Sequence, residues 1–372
     1  MHYLFGFLCV CALGTVPLVG CGETVRCEMD VCPCSEQGIR AATAAGGGPY
    51  TFDCDGPTIV RTGAEILLRN DVILDGEGNL IIDGDNRHRV FLNFGAMVEL
   101  RGLTVTGGSG GGARVVVDGV ASDKTTGPWT VGGGILNEGT LSLTNCTVSG
   151  NTTDIAGGGI YNGATLTLAD STVSENSAGD GGGIYNNGTL TLTNSTVSGN
   201  TAWAGGGLGG GEGVNLYSTL TLINSTVSGN TAGSGEGGGI WNAGTLALVN
   251  STVSGDIAFL GTLTSTSTLM DGACDEGLRG VAASDGYNIE SSGNTCGFDQ
   301  PTDQVDVSAE DLQLGPLQDN GGPTETHALG PGSFAIDVIP EAMCEVDEDQ
   351  RGEPRPETGD TMCDVGAFEV QP

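Results

Sequence analysis

The stretch Gly-Gly-Gly-Ile-Tyr-Asn-Asn-Gly-Thr-Leu-Thr-Leu-Thr-Asn-Ser-Thr-Val-Ser-Gly-Asn, residues 181–200, is one copy of a text written five times between residues 132 and 256. Its Thr-Val-Ser valine recurs at Val148, Val173, Val197, Val227 and Val253. The period is therefore about 24 to 26 residues, with one longer step, which is the signature of a solenoid. In each copy two leucines alternate with small polar residues: Leu141 and Leu143, Leu166 and Leu168, Leu190 and Leu192, Leu220 and Leu222, Leu246 and Leu248. A period of two marks a strand with one buried face. The apolar residue after the glycines (Ile135, Ile160, Ile184, Leu208, Ile240) and the valine of Thr-Val-Ser mark two further short strands. Gly, Asn and Ser separate them, as turns require. Three strands per period and no helical text predict an all-β, right-handed parallel β-helix.

A single coil buries four apolar side chains, each contributing roughly 1.5–3 kcal/mol. Ordering its backbone costs about 1–2 kcal/mol per residue, so one coil cannot fold alone and stacking must supply the rest. The asparagines fit this logic. Asn145, Asp170, Asn194, Asn224 and Asn250 hold one turn position, and Asn151, Asn176, Asn200, Asn230 and Asp256 hold another. Stacked amides at a fixed position form hydrogen-bonded ladders along the axis. Several lie in Asn-x-Ser/Thr sequons, but the ladder is the reading adopted.

The 67 glycines and scarce aromatics would suit a disordered chain were it not for the period, which restores a core. A net charge of −34 argues against nucleic acid or anionic lipid as partner. The chain opens on an apolar run ending in Leu18-Val19-Gly20-Cys21. Residues 1–20 read as a signal peptide. The last four residues resemble the bacterial lipobox, which implies acylation of Cys21 and a lipid anchor on an otherwise soluble protein.

Of the 12 cysteines, Cys9 and Cys11 fall in the leader. Export makes disulfides the default. Spacing suggests Cys274 with Cys296 and Cys344 with Cys363, and two bridges among Cys27, Cys32, Cys34 and Cys54 whose connectivity stays open. Cys146 stands where other copies have Ser171, Ser195, Ser225 and Ser251, as a small substitute. Ser35 can cap a short helix beginning there, whose Ile39, Ala42 and Thr43 would cover the open end of the stack. Irregular early coils follow, and Asp83-Gly84-Asp85-Asn86 reads as a turn rather than a calcium loop. The organisation expected is residues 21–60 as linker and cap, 61–270 as β-helix and 271–372 as a disulfide-containing C-terminal cap. An insertion at 109–131 carries Lys124 and Trp129.

Two resemblances add to this. The Gly-Gly-Gly-Ile and Val-x-x-Asn steps are similar to the repeats of polymorphic outer membrane proteins, bacterial surface β-helices linked to adhesion. The C-terminal blocks Leu-Gly-Pro-Leu-Gln-Asp-Asn-Gly-Gly-Pro-Thr-Glu-Thr-His-Ala-Leu at 314–329, Pro-Gly-Ser-Phe-Ala-Ile-Asp at 331–337, Asp-Gln-Arg-Gly-Glu-Pro-Arg-Pro at 349–356 and Cys-Asp-Val-Gly-Ala-Phe-Glu at 363–369 resemble the choice-of-anchor Q domain. That family implies a bacterial surface β-helix held by an anchor. His327 and Arg351 within these blocks read as fold-determining partners rather than catalysts.

The expected function is a non-enzymatic, monomeric lipoprotein at the bacterial outer membrane or cell surface, displaying a rigid rod for adhesion or envelope contacts. The alternative is a protein that binds or degrades polysaccharide. A lyase needs a basic group, yet Lys124 is the one cationic side chain between Arg114 and Arg279. Hydrolysis needs two carboxylates about 5 to 9.5 Å apart, for which only Asp154 and Asp180 suggest themselves. No catalytic residue, metal site or cofactor is expected, and the partner would be a glycan or another surface protein. The residue after each Ile points outward. Leu136, Tyr161, Tyr185 and Trp241 would then align on one face as a sugar-stacking row, or else cover the strands by stacking on each other.

Overall fold

The computed structural model describes residues 25–110, 116–117, 120–121, 130–210, 218–233, 237–275, 280–291 and 293–371. The leader, Cys21, Lys124 and Trp129 lie outside them. The chain is an all-β parallel β-helix. Strands Thr140–Thr144, Thr165–Ala169, Thr189–Thr193, Thr219–Ile223, Thr245–Val249 and Thr262–Thr266 pair in parallel and in register, leucine on leucine through the five repeats. The valine column runs Val148, Val173, Val197, Val227, Val253 and Met270. A third column stacks Phe91, Ile135, Ile160, Ile184, Leu208, Ile240, Ile257 and Cys274. These side chains are buried and form one continuous core.

The turns explain the polar text. Asn145, Asp170, Asn194, Asn224 and Asn250 all have φ between 46° and 53°, a left-handed corner that Asn and Asp tolerate better than most residues. Around the next corner Asn151, Asn176, Asn200 and Asn230 form a buried amide ladder with bonds of 2.9–3.0 Å. A third ladder, unread in the sequence, joins Asn93, Asn137, Asn162 and Asn186 at 2.7–2.8 Å. The serines stack too, each accepting from the N–H of the coil before, and Cys146 enters this ladder as donor to Ser171 Oγ. Burial pushes the Cys146 thiol up to about 11, so it stays protonated and inert.

At the N-terminal end the helix Glu36–Ala45, capped by Ser35 Oγ accepting from Gly38 N–H, buries Ile39, Ala42 and Thr43 against the first coils. Disulfides Cys27–Cys32 and Cys34–Cys54 fix the approach to it. The other end departs from expectation. Parallel stacking continues past residue 270, through Val281–Gly286, Ile289–Ser291 and Gln304–Val307. The boundary was obscured because Leu269-Met270-Asp271 and Ile289-Glu290-Ser291 replace the Thr-Val-Ser text while keeping its register. Buried Glu290 takes the valine position and accepts from Thr295 and Cys296 N–H, tying down the loop that closes the stack. The Cys274–Cys296 disulfide and buried Phe298 complete that closure.

The C-terminal segment from residue 308 onward is therefore not an end cap. It returns along the side of the rod, against the outer face of the Thr-Val-Ser strands, from Ser267 near Gly366 down to Asn194 near Thr324. Its own small core joins Leu329, Ala335, Ile339, Cys363 and Phe368 to Leu269 and Ile289, and the Cys344–Cys363 disulfide lies within it. Leu269 and Ile289 stand in the outward threonine position. Apolar residues there would be costly in water and are stable only because this lateral segment covers them.

Candidate functional site: a groove beside the lateral segment

In each Thr-Val-Ser strand the valine points in, so the threonine and serine point out. Successive coils thus carry a row of outward threonines: Thr147, Thr172, Thr196, Thr226 and Thr252. The last three bind the lateral segment. Thr196 Oγ1 donates to Glu325 O at 2.6 Å, Thr226 Oγ1 donates to Gln350 Oε1 at 2.6 Å, and Thr252 Oγ1 accepts from Ala367 N–H at 3.0 Å. Gln350, fully buried, also donates to Thr196 and Thr324 at 2.8 Å.

His327 belongs to the same clasp. Its Nδ1 lies 2.7 Å from Gly315 O, which can only accept, so Nδ1 carries the proton and Nε2 accepts from Ser228 Oγ at 2.8 Å. Burial lowers its pKa, consistent with that neutral form. Arg351 binds Asp349 at 2.7 Å and lies 3.7 Å over the Phe368 ring. Buried Arg355 pairs with Glu369 at 3.0 Å. These residues hold the segment together.

The first two threonines of the row, Thr147 and Thr172, are only half-buried. They open into a groove of about 690 Å³ between the coil face and the tip of a hairpin. The hairpin pairs Leu314–Gln318 with Thr326–Leu329, and its tip is held by Asn320 Nδ2 donating to Thr326 O at 2.8 Å. Ser174, Ser198 and Ser228 add hydroxyls to the coil side, and Leu317 and Pro323 give the hairpin side an apolar strip. Glu175, Asp319 and Glu325 place three exposed carboxylates around it. No Lys, Arg or His lines the groove. Glu175 has φ of 57° where the neighbouring coils have Gly199 and Gly229, so this coil alone sets a carboxylate at that corner.

The residues singled out from the sequence lie elsewhere. Leu136 and Tyr185 are buried, only 2% and 6% exposed, while Tyr161 and Trp241 are half-buried, so the four do not form an open row. Outward from a strand is not outward from this protein, because the glycine-rich loops fold back and lay Val131 and Ala156 over the sheet. Tyr161 and Tyr185 stack on each other at 5.5 Å and 14°, and Trp241 is separated from them by Gly209. Asp180 aligns with Ala156, not with Asp154, so the two carboxylates are not level in adjacent coils. Among the described residues no group of three or more His, Cys, Asp or Glu is placed to hold a metal ion. The groove itself was missed because its far wall comes from residues about 150 positions away in sequence. The threonine row that makes its near wall was in plain view.

No family model and no curated protein matches the sequence. Among solved structures the chain is similar to pectate lyase Pel9A, at 12% identity and a TM-score of 0.42, over 88% of this chain and 90% of that one. That likeness carries no functional argument, and the parallel β-helix stands on the strand register described above.

Proposed function

We propose that this chain is a non-enzymatic surface protein of the choice-of-anchor Q kind, tethered by lipid at Cys21 and presenting the β-helix as a rigid rod for adhesion. The observation that carries the reading is the groove: hydroxyls on one wall, an apolar strip on the other and no basic residue among its lining. Such a lining can hold a polar polymer but offers no Lys, Arg or His to serve as the basic group of a lyase. Stacked amide ladders and a core unbroken from end to end support a rod that keeps its shape under load. The leader and lipobox-like sequence support the anchor.

The test uses the full chain expressed in a bacterial host. Protein should fractionate with membranes and incorporate a fatty-acid analogue, and Cys21→Ala should abolish both. Cells carrying it should adhere to polysaccharide-coated wells without releasing sugar. Release of unsaturated or newly reducing ends from the coating, at a rate that follows protein concentration, would overturn the non-enzymatic reading.

A further inference from the structure

We propose that the groove is a subsite for an extended, uncharged glycan chain, held on the hydroxyls of Thr147, Thr172 and Ser174 and closed by Leu317 and Pro323. This rests on the adhesive reading and gives it a ligand class. The face that binds the lateral segment through Thr196, Thr226 and Thr252 continues without a break to Thr172 and Thr147, in the same register and with the same chemistry. The segment ends its cover at Thr324 and Glu325, and the track goes on beyond it. What the upper coils do to a polypeptide, the lower ones are equipped to do to another polar chain.

The backbone N–H and C=O groups of Thr147–Ser149 and Thr172–Ser174 are committed to the coils on either side, so a peptide cannot add here as a new strand. Recognition falls to side-chain hydroxyls, each both donor and acceptor. Sugar hydroxyls have the same dual character, and a pyranose also offers C–H faces to Leu317 and Pro323. Coils repeat every 4.8 Å or so, close to the length of one pyranose in an extended β-linked chain. At about 690 Å³ the groove has the size of an oligosaccharide subsite.

Glu175, Asp319 and Glu325 surround the groove and no cation lines it, so a uronate chain would bring carboxylate to carboxylate. The glycan taken is neutral.

The experiment is calorimetry of the mature protein with cellohexaose and mannohexaose, against hexagalacturonate. A neutral hexamer should bind and hexagalacturonate should not. The double variant Thr172→Val, Ser174→Ala, which keeps side-chain volume on a half-buried surface, should weaken neutral binding about tenfold or more. The double variant Glu175→Gln, Asp319→Asn should keep neutral binding and gain affinity for hexagalacturonate. Unchanged binding by the first variant, preference of the native protein for hexagalacturonate, or no binding of either neutral hexamer would each overturn the proposal. Adhesion measured on the same preparations separates the two claims. Adhesion without neutral-hexamer binding sinks the groove alone, and loss of all adhesion sinks the wider reading.

Discussion

The lower and upper coils of the rod share the Thr-Val-Ser text and use it differently. In the coils at Thr196, Thr226 and Thr252 the outward threonine hydroxyls are spent on the C-terminal segment. In the coils at Thr147 and Thr172 they face an open groove. The repeat fixes where a hydroxyl stands, and a segment distant in sequence determines whether it builds the fold or meets a ligand. In the proposed reading stability and recognition are two uses of one surface, which mutation can separate.

Register is the first way to break the comparison. Deleting residues 157–180 removes one coil and leaves every column aligned, so a shorter soluble β-helix should form. It should keep its lateral segment, with Thr147 and Ser149 moving into the places of Thr172 and Ser174 and the Glu175 carboxylate lost. Deleting residues 157–168 instead misaligns each stack above the cut, and no cooperative thermal transition should survive. Circular dichroism melts of the two deletions compare them directly.

Gln350→Ala separates upper from lower coils. It strips partners from buried Thr196, Thr226 and Thr324, and should cost about 1–3 kcal/mol by chemical denaturation. Limited proteolysis should then cut the segment after residue 308 while the coils persist. Thr172→Val, one coil below, should change stability by no more than about 0.5 kcal/mol.

Acidity acts most strongly on the segment. Burial raises Glu369 from 4.5 to about 7 and Asp364 from 3.8 to about 6, with Arg355 partly opposing the rise. Between those ordinary values and the raised ones the folded chain holds protons that the unfolded chain releases. Stability of the segment should therefore fall as pH rises from about 4 to 7, by an amount on the order of 1–3 kcal/mol. Glu369→Gln should flatten the upper part of that slope. His327 works in the opposite sense, since burial lowers its pKa and its contribution is lost as pH falls below 6.5. Denaturation midpoints across this range, native against Glu369→Gln, check the sign.

A modest effect is expected at the stacked rings. Tyr161→Ala should cost about 1 kcal/mol through loss of the Tyr185 pair and leave glycan binding as it was.

Much of the rod was legible because each coil repeats its neighbour's instructions. Leucine alternation, the left-handed Asn corners and the N-terminal helix follow from residues a few positions apart. The Asn93 to Asn186 ladder was equally visible after each Ile-x step, but an Asn beside an aromatic drew attention to the ring. Tyr185 misled because strand alternation says which side a residue takes, not whether a loop will cover it. The lateral segment was out of reach for a different reason. Its clasp joins Gln350 to Thr226 and His327 to Ser228, pairings about 100 residues or more apart that no period announces. Leu269 and Ile289, apolar in a threonine position, were the one local sign that something lies over those coils.

Amide hydrogen exchange of the mature protein, with and without cellohexaose, tests most directly whether the lower coils bind what the upper coils do not. Added protection is expected at residues 172–175 and at the hairpin tip, 319–325, and none at 252–254 or 160–162. Protection that appears on the Tyr161 face or evenly along the rod, with the groove unchanged, would contradict it.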